Sequence, residues 1–143
     1  MDIVSITTIL LILVEGWGLT ECPDPENNPY CSGGSASLTL QQILLPVVSR
    51  AECSLLIGTY GNGKVFCWGG NTGESGCFGD SGSPLMVSSD SDSGSVYSLA
   101  GSVMGGTGPG CGGAGTYGLA WQTAVYTDWY LTNAGGDDVN WCN

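Results

Sequence analysis

Short apolar or alternating segments at residues 38–48, 64–68, 84–88, 96–104 and 117–121 are separated by clusters of Gly, Ser, Asp and Asn, notably 88–95 and 105–115. That spacing predicts an all-β protein, a barrel or sandwich built from short strands and many turns. Glycine fills 25 of the 143 positions, well above an average usage of about 7 %. Tight turns are its expected use, because glycine reaches positive φ without steric cost, and no Gly-X-Y period points to collagen. Only residues 123–133 look helical, with Val125, Trp129 and Tyr130 at near-helical spacing and Gly135-Gly136 as the stop. A hydrophobic content of 42 % supplies one sizeable core.

The chain carries 13 acidic residues against two basic ones, Arg50 and Lys64, for a formal charge of −11. Such a surface repels phosphate backbones and anionic membranes, so neither nucleic acid nor a membrane is an expected partner. Seven cysteines without a C-x-x-C pair, in a chain with no histidine, point away from a metal site and toward disulfides formed in an oxidising compartment, and so to secretion. The apolar run at residues 3–14 reads equally as a signal-peptide core or as a buried strand. Residues 16–37 are loop-like, with Pro23, Pro25, Pro29, Asn27, Asn28 and Gly33-Gly34 as turn signals. Cys22 and Cys31 bracket that loop, and a disulfide there would restrain it. Sequence leaves the pairing of Cys22, Cys31 and Cys142 open. The acidic stretch at 90–92 is expected to be a solvated loop in preference to a calcium site, and no metal or organic cofactor is indicated.

The stretch that carries chemistry is Cys77-Phe78-Gly79-Asp80-Ser81-Gly82-Ser83-Pro84-Leu85. A serine between glycines on a tight turn exposes its hydroxyl. The adjoining N–H groups can then converge on one point and stabilise charge developing on a carbonyl oxygen. This motif resembles the nucleophile region of the trypsin/chymotrypsin family of serine endopeptidases. Other pieces follow in the family's order: Gly16-Trp17-Gly18 is similar to its Gly-Trp-Gly turn, Leu40-Gln41-Gln42 through Leu45-Pro46-Val47-Val48-Ser49 to the following strand, and Trp129 to the tryptophan of its C-terminal helix. The resemblance covers residues 16–129, the second antiparallel β-barrel of a two-barrel fold with a short C-terminal helix. Residues 1–14 then form a separate apolar segment, and 15–143 a partial protease domain.

Carried over position by position, the resemblance implies Ser81 as nucleophile, with the N–H groups of Gly79 and Ser81 as oxyanion hole. Asp80 would be the partner of the amine freed on activation. Ser75 would be the neutral floor of the specificity pocket, with Gly106 and Gly118 on its wall. It implies polypeptide substrates with a large apolar or aromatic side chain before the scissile bond. It also implies disulfides joining Cys53 to Cys67 and Cys77 to Cys111, while a third family disulfide, from near Ile12 to Val87, has lost both cysteines. The family's triad histidine and aspartate lie on the first barrel and have no counterpart here, so the chain is expected to be inactive alone. A missing first barrel, or a partner chain, would have to supply them. Two departures stand out: Ser83 replaces a glycine, and Met104-Gly105 replaces a Ser-Trp pair. A secreted, non-catalytic homologue acting as a binding module is the alternative reading.

Overall fold

The computed structural model describes residues 10–91 and 94–133. The strands are β1 (Leu11–Gly16), β2 (Gln41–Pro46), β3 (Val65–Gly69), β4 (Pro84–Ser91), β5 (Gly94–Thr107) and β6 (Tyr117–Gln122). Helix α1 (Arg50–Ile57) and a 3-10 turn (Tyr60–Gly63) precede β3, and a second 3-10 turn (Thr123–Tyr126) leads into α2 (Thr127–Asn133). The six strands form one antiparallel sheet in the order β2-β1-β4-β5-β6-β3. Its two outer strands meet where Val47 bridges Trp68 and the Val48 N–H donates to the Cys67 carbonyl at 2.9 Å. The sheet thus curls on itself as an antiparallel barrel capped by a short C-terminal helix.

The barrel interior is filled by Ile12 and Val14 of β1, Leu45 of β2, Trp68 of β3, Leu85 of β4, Val103 of β5 and Ala120 of β6. Each strand contributes apolar residues from its inward face, as a pleat with two-residue period requires. A smaller cluster of Cys53, Cys67 and Leu119 fastens α1 to the barrel, with Cys53 and Cys67 joined as a disulfide. Register shifts between Leu85 and Met86 and between Val103 and Gly105 bend β4 and β5. Such bulges re-aim side chains, and these two flank the segment that holds Ser81.

Three expectations are corrected or completed here. Residues 50–57 form a helix although only 123–133 looked helical. Ser49 caps it by accepting from the Glu52 N–H, but Cys53 is its sole buried residue and Leu55 is 88 % exposed, so no apolar stripe announced it. The polar cluster at 88–95 is a strand hairpin for most of its length, with Ser88 opposite Tyr97 and Asp90 opposite Ser95. Backbone pairing overrides local polarity there. Of the apolar run at 3–14, residues 11–14 belong to β1, whereas 1–9 lie outside the described residues, as do Asp92, Gly135-Gly136 and Cys142.

Extending the β1–β4 register of Leu13 opposite Met86 by one residue sets Ile12 opposite Val87. Both also line an apolar hollow of about 380 Å³. Apolar contact therefore stands where the family resemblance implies a lost disulfide. Replacing the pair, Ile12→Cys with Val87→Cys, is expected to restore a crosslink and raise stability by about 2–4 kcal/mol, because it closes a long loop in the unfolded chain. Urea unfolding of oxidised and reduced protein reads the gain. A lower midpoint in the oxidised form would show that the strands do not face each other in this register.

Candidate active site

The segment between β3 and β4 is a chain of tight turns tied down at both ends. The Asp80 N–H donates to the Cys77 carbonyl at 3.0 Å and the Ser83 N–H to the Asp80 carbonyl at 3.0 Å. Gly82 N–H donates to Val103 O at 2.8 Å, and Val103 N–H returns to Ser83 O at 2.9 Å, which fastens the turn to β5. At the other side the Leu19 N–H donates to Phe78 O at 2.9 Å. Gly79 at the apex has φ 102°, a conformation that side-chain-bearing residues rarely adopt.

Asp80 is the buried anchor of this arrangement, only 9 % exposed. One carboxylate oxygen accepts from the Gly18 N–H at 2.8 Å and the other from the Cys77 N–H at 2.9 Å. Bonds from backbone N–H groups to an ionised acceptor are among the stronger ones, and here they satisfy a charge that burial would otherwise penalise. A Cβ at Gly16 or Gly18 would overlap that carboxylate, so the Gly-Trp-Gly turn must be glycine on both sides for Asp80 to fit. Asp80 also faces a polar cavity of about 330 Å³, lined in addition by Glu15, Glu21, Gln41 and Gln42.

Ser81 does not line that cavity. It is exposed and lines a second cleft of about 270 Å³. Ser75, Gly106, Gly118, Cys77 and Cys111 line the same cleft, so residues from 75 to 118 converge on one hollow. The Cys77–Cys111 disulfide crosses its wall, and the Ser75 hydroxyl oxygen accepts from the Gly112 N–H at 2.8 Å. Ser75 therefore turns an acceptor lone pair to the backbone and retains its O–H to donate. Among the described residues the N–H groups of Gly79 and Ser81 have no hydrogen-bond partner. The turn that carries the exposed Ser81 hydroxyl thus leaves two backbone donors unengaged.

Trp68, Thr107 and Pro29 are among the lining residues that sequence does not single out as pocket residues. Trp68 is 1 % exposed and underlies the cleft, pressed so close to Gly118 that a Cβ there would overlap the indole. Among the described residues the buried Thr107 hydroxyl has no hydrogen-bond partner, and neither does the buried Trp68 indole N–H. Pro29, read only as a turn signal, reaches the cleft from a loop remote in sequence from the other lining residues. A strand pattern shows which residues point inward. It does not show which of them border a hollow.

Met104 and Gly105 sit at the β5 bulge, and both line the cleft. A Cβ built at Gly105 meets no atom within 4 Å. Gly105→Trp should therefore be accepted with a stability change inside about 0.5 kcal/mol, while adding an aromatic wall that tightens binding of N-acetyl-phenylalanine amide. Calorimetric titration beside thermal unfolding checks both halves, and a large loss of stability would mean that this part of the strand is not open.

A family model described as Trypsin matches residues 11–130. Among curated relatives, Trypsin-1 of Astacus astacus is 36 % identical over 128 residues, which cover 86 % of this chain and 46 % of that protein. Limulus clotting factor C of Carcinoscorpius rotundicauda is 36 % identical over 127 residues, 83 % of this chain and 11 % of that protein. Inactive CLIP domain-containing serine protease A28 of Anopheles gambiae is 34 % identical over 97 residues, 63 % of this chain and 24 % of that protein. The chain spans less than half the length of each of these relatives.

Proposed function

Because this chain belongs to the trypsin family, we propose that it is the nucleophile-bearing part of a serine endopeptidase whose general base lies outside these 143 residues. The observation that carries the reading is the pairing of an exposed Ser81 with the unengaged N–H groups of Gly79 and Ser81, on a turn locked by the buried Asp80 carboxylate. In this reading Ser81 Oγ attacks the scissile carbonyl, and those two N–H groups hold the oxyanion that forms. The cleft over Ser75, Gly106 and Gly118 takes a large apolar or aromatic side chain of a polypeptide in this reading, which is supported by the lack of a charged group among the described residues that line it. In this reading Asp80, which lines the neighbouring polar cavity, would exchange its backbone N–H partners for an amine once activation frees one.

A hydroxyl needs a base to become a nucleophile at neutral pH, and the chain has no histidine. The histidine and its orienting aspartate come, in this reading, from a first barrel docked on the exposed apolar residues of the β5–β6 and α2 region. Leu99, Trp121, Val125, Trp129 and Leu131 there are between 36 % and 59 % exposed. Three disulfides fit maturation in an oxidising compartment, and hence secretion. Among the described residues no helix is long and apolar enough to cross a membrane.

The test is hydrolysis of a chromogenic aromatic peptide by the chain, with and without a polypeptide supplying the first barrel, each beside Ser81→Ala. Ser81-dependent turnover confined to the complemented sample supports the reading. Its absence from a complex shown to have assembled overturns it. A second reading, a binding module without catalysis, is favoured by the missing histidine together with the 34 % identity to an inactive protease homologue. Peptide binding without turnover in the assembled complex would establish that alternative.

A further inference from the structure

We propose that the loop closed by the Cys22–Cys31 disulfide is the outer wall of the cleft, with Pro29 as a specificity-determining residue and Glu26 as the residue that positions it. This rests on the reading of the cleft as the pocket for a substrate side chain. Pro29 lines the cleft together with Met104, Gly106 and Thr107 of β5. It arrives there because the loop is tied to the cleft's other components at three independent points.

The first tie is polar. Glu26 Oε1 accepts from the Ala114 N–H at 2.8 Å, joining the loop to the segment that connects β5 to β6. The second is a close backbone approach. A Cβ at Gly110 would stand 2.6 Å from the Pro25 carbonyl oxygen and 3.1 Å from that of Asn28, so only glycine lets these two segments touch. The third is a contact between two disulfides: Cys31 Sγ lies 3.9 Å from Cys77 Sγ, which sets the loop's crosslink against the one crossing the cleft wall.

The loop also holds its own shape. Asn28 Nδ2 donates to the carbonyls of Pro23 at 2.9 Å and Ser32 at 3.0 Å, while its Oδ1 accepts from the Ser32 N–H at 3.0 Å. With a disulfide across only nine residues, little conformational freedom is left to lose when a ligand enters. A proline presented on such a loop is a preformed apolar surface. Its ring has no rotamer to freeze, so contact with a substrate's apolar side chain carries almost no ordering cost.

The experiment uses the full ¹⁵N-labelled chain titrated with N-acetyl-phenylalanine amide. It reads the indole N–H resonance of Trp68, which lines the cleft and has no hydrogen-bond partner among the described residues to mask a shift. A saturable shift is expected in the unsubstituted protein. Pro29→Ala should weaken binding by about three- to tenfold, the loss of one small apolar contact. Glu26→Ala should weaken it by a similar factor, whereas Glu26→Gln keeps an acceptor for the Ala114 N–H and should bind as the unsubstituted chain does. Unchanged affinity in Pro29→Ala overturns the wall assignment and leaves the pocket reading standing. Equal losses in Glu26→Ala and Glu26→Gln overturn the positioning role. No shift at Trp68 in the unsubstituted chain overturns the pocket reading, and this inference with it.

Discussion

Hydrolysis of a chromogenic aromatic peptide by this chain alone should proceed at the same rate with Ser81 present and with Ser81→Ala. The reason is chemical: a serine hydroxyl attacks a carbonyl only as a base removes its proton, and the sequence offers no histidine for that step. The acidic groups nearby do not substitute. Asp80 engages both carboxylate oxygens with the Gly18 and Cys77 N–H groups, and it is not among the residues that line the cleft with Ser81. In the proposed reading what remains is the oxyanion hole with substrate binding, worth on the order of 10³ to 10⁴ over water in enzymes stripped of their triad. That residue of catalysis does not need the hydroxyl.

Supplying the first barrel should change the outcome by several orders of magnitude. Enzymes that lose the serine or histidine of such a triad lose roughly 10⁶ in kcat, so its completion is expected to restore a comparable factor. Ser81→Ala should then abolish nearly all of it. The pair of measurements is decisive in both directions. Serine-dependent turnover by the uncomplemented chain at a protease-like rate would mean that another group reaches Ser81.

The second large effect is structural, and it links the barrel core to the cleft. Trp68→Ala removes the largest fully buried side chain, which packs in the barrel with Ile12, Val14, Leu45, Leu85, Val103 and Ala120. Truncating a buried tryptophan costs about 3–5 kcal/mol, through lost transfer energy and the cavity left behind. Against a total stability of about 5–15 kcal/mol for an ordinary domain, that is a large share. Urea unfolding should show the midpoint fall steeply, with the low-denaturant baseline lost if the barrel is marginal.

Trp68→Phe separates packing from polarity at the same site. The indole N–H is already buried without a partner among the described residues, so removing it strands no acceptor there and relieves a desolvation penalty. Phenylalanine should therefore cost much less than alanine, because it keeps an aromatic ring against Gly118 while deleting the unpaired donor. A loss below about 1 kcal/mol in Trp68→Ala would show that the cleft floor is not part of the core.

The strands that begin at Val65 and Tyr117 were legible as short apolar segments bounded by turn residues, and both are buried over three consecutive positions, with Trp68 and Ala120 in the barrel core and Cys67 and Leu119 in the cluster under α1. Helix α1 was not. Its one buried residue, Cys53, is held by a disulfide to β3, so eight residues are ordered by a crosslink and an N-cap instead of by an apolar face. The hairpin around Asp90 was hidden for a related reason: its polar sequence reads as a turn, and pairing with β5 is a property of the partner strand.

By itself the sequence determined the all-β character, the short C-terminal helix and the absence of a histidine. These follow from composition and local pattern, which every residue carries with it. The turn around Ser81 was recognisable through a family resemblance more than through propensity, since Gly-Asp-Ser-Gly alone describes many loops. Tertiary structure alone decided that Asp80 bonds a backbone N–H 62 residues away, that Cys22 pairs with Cys31, and that Trp68 and Pro29 border one cleft. Those are contacts between segments remote in the chain, and local preference carries no term for a partner that only folding brings near.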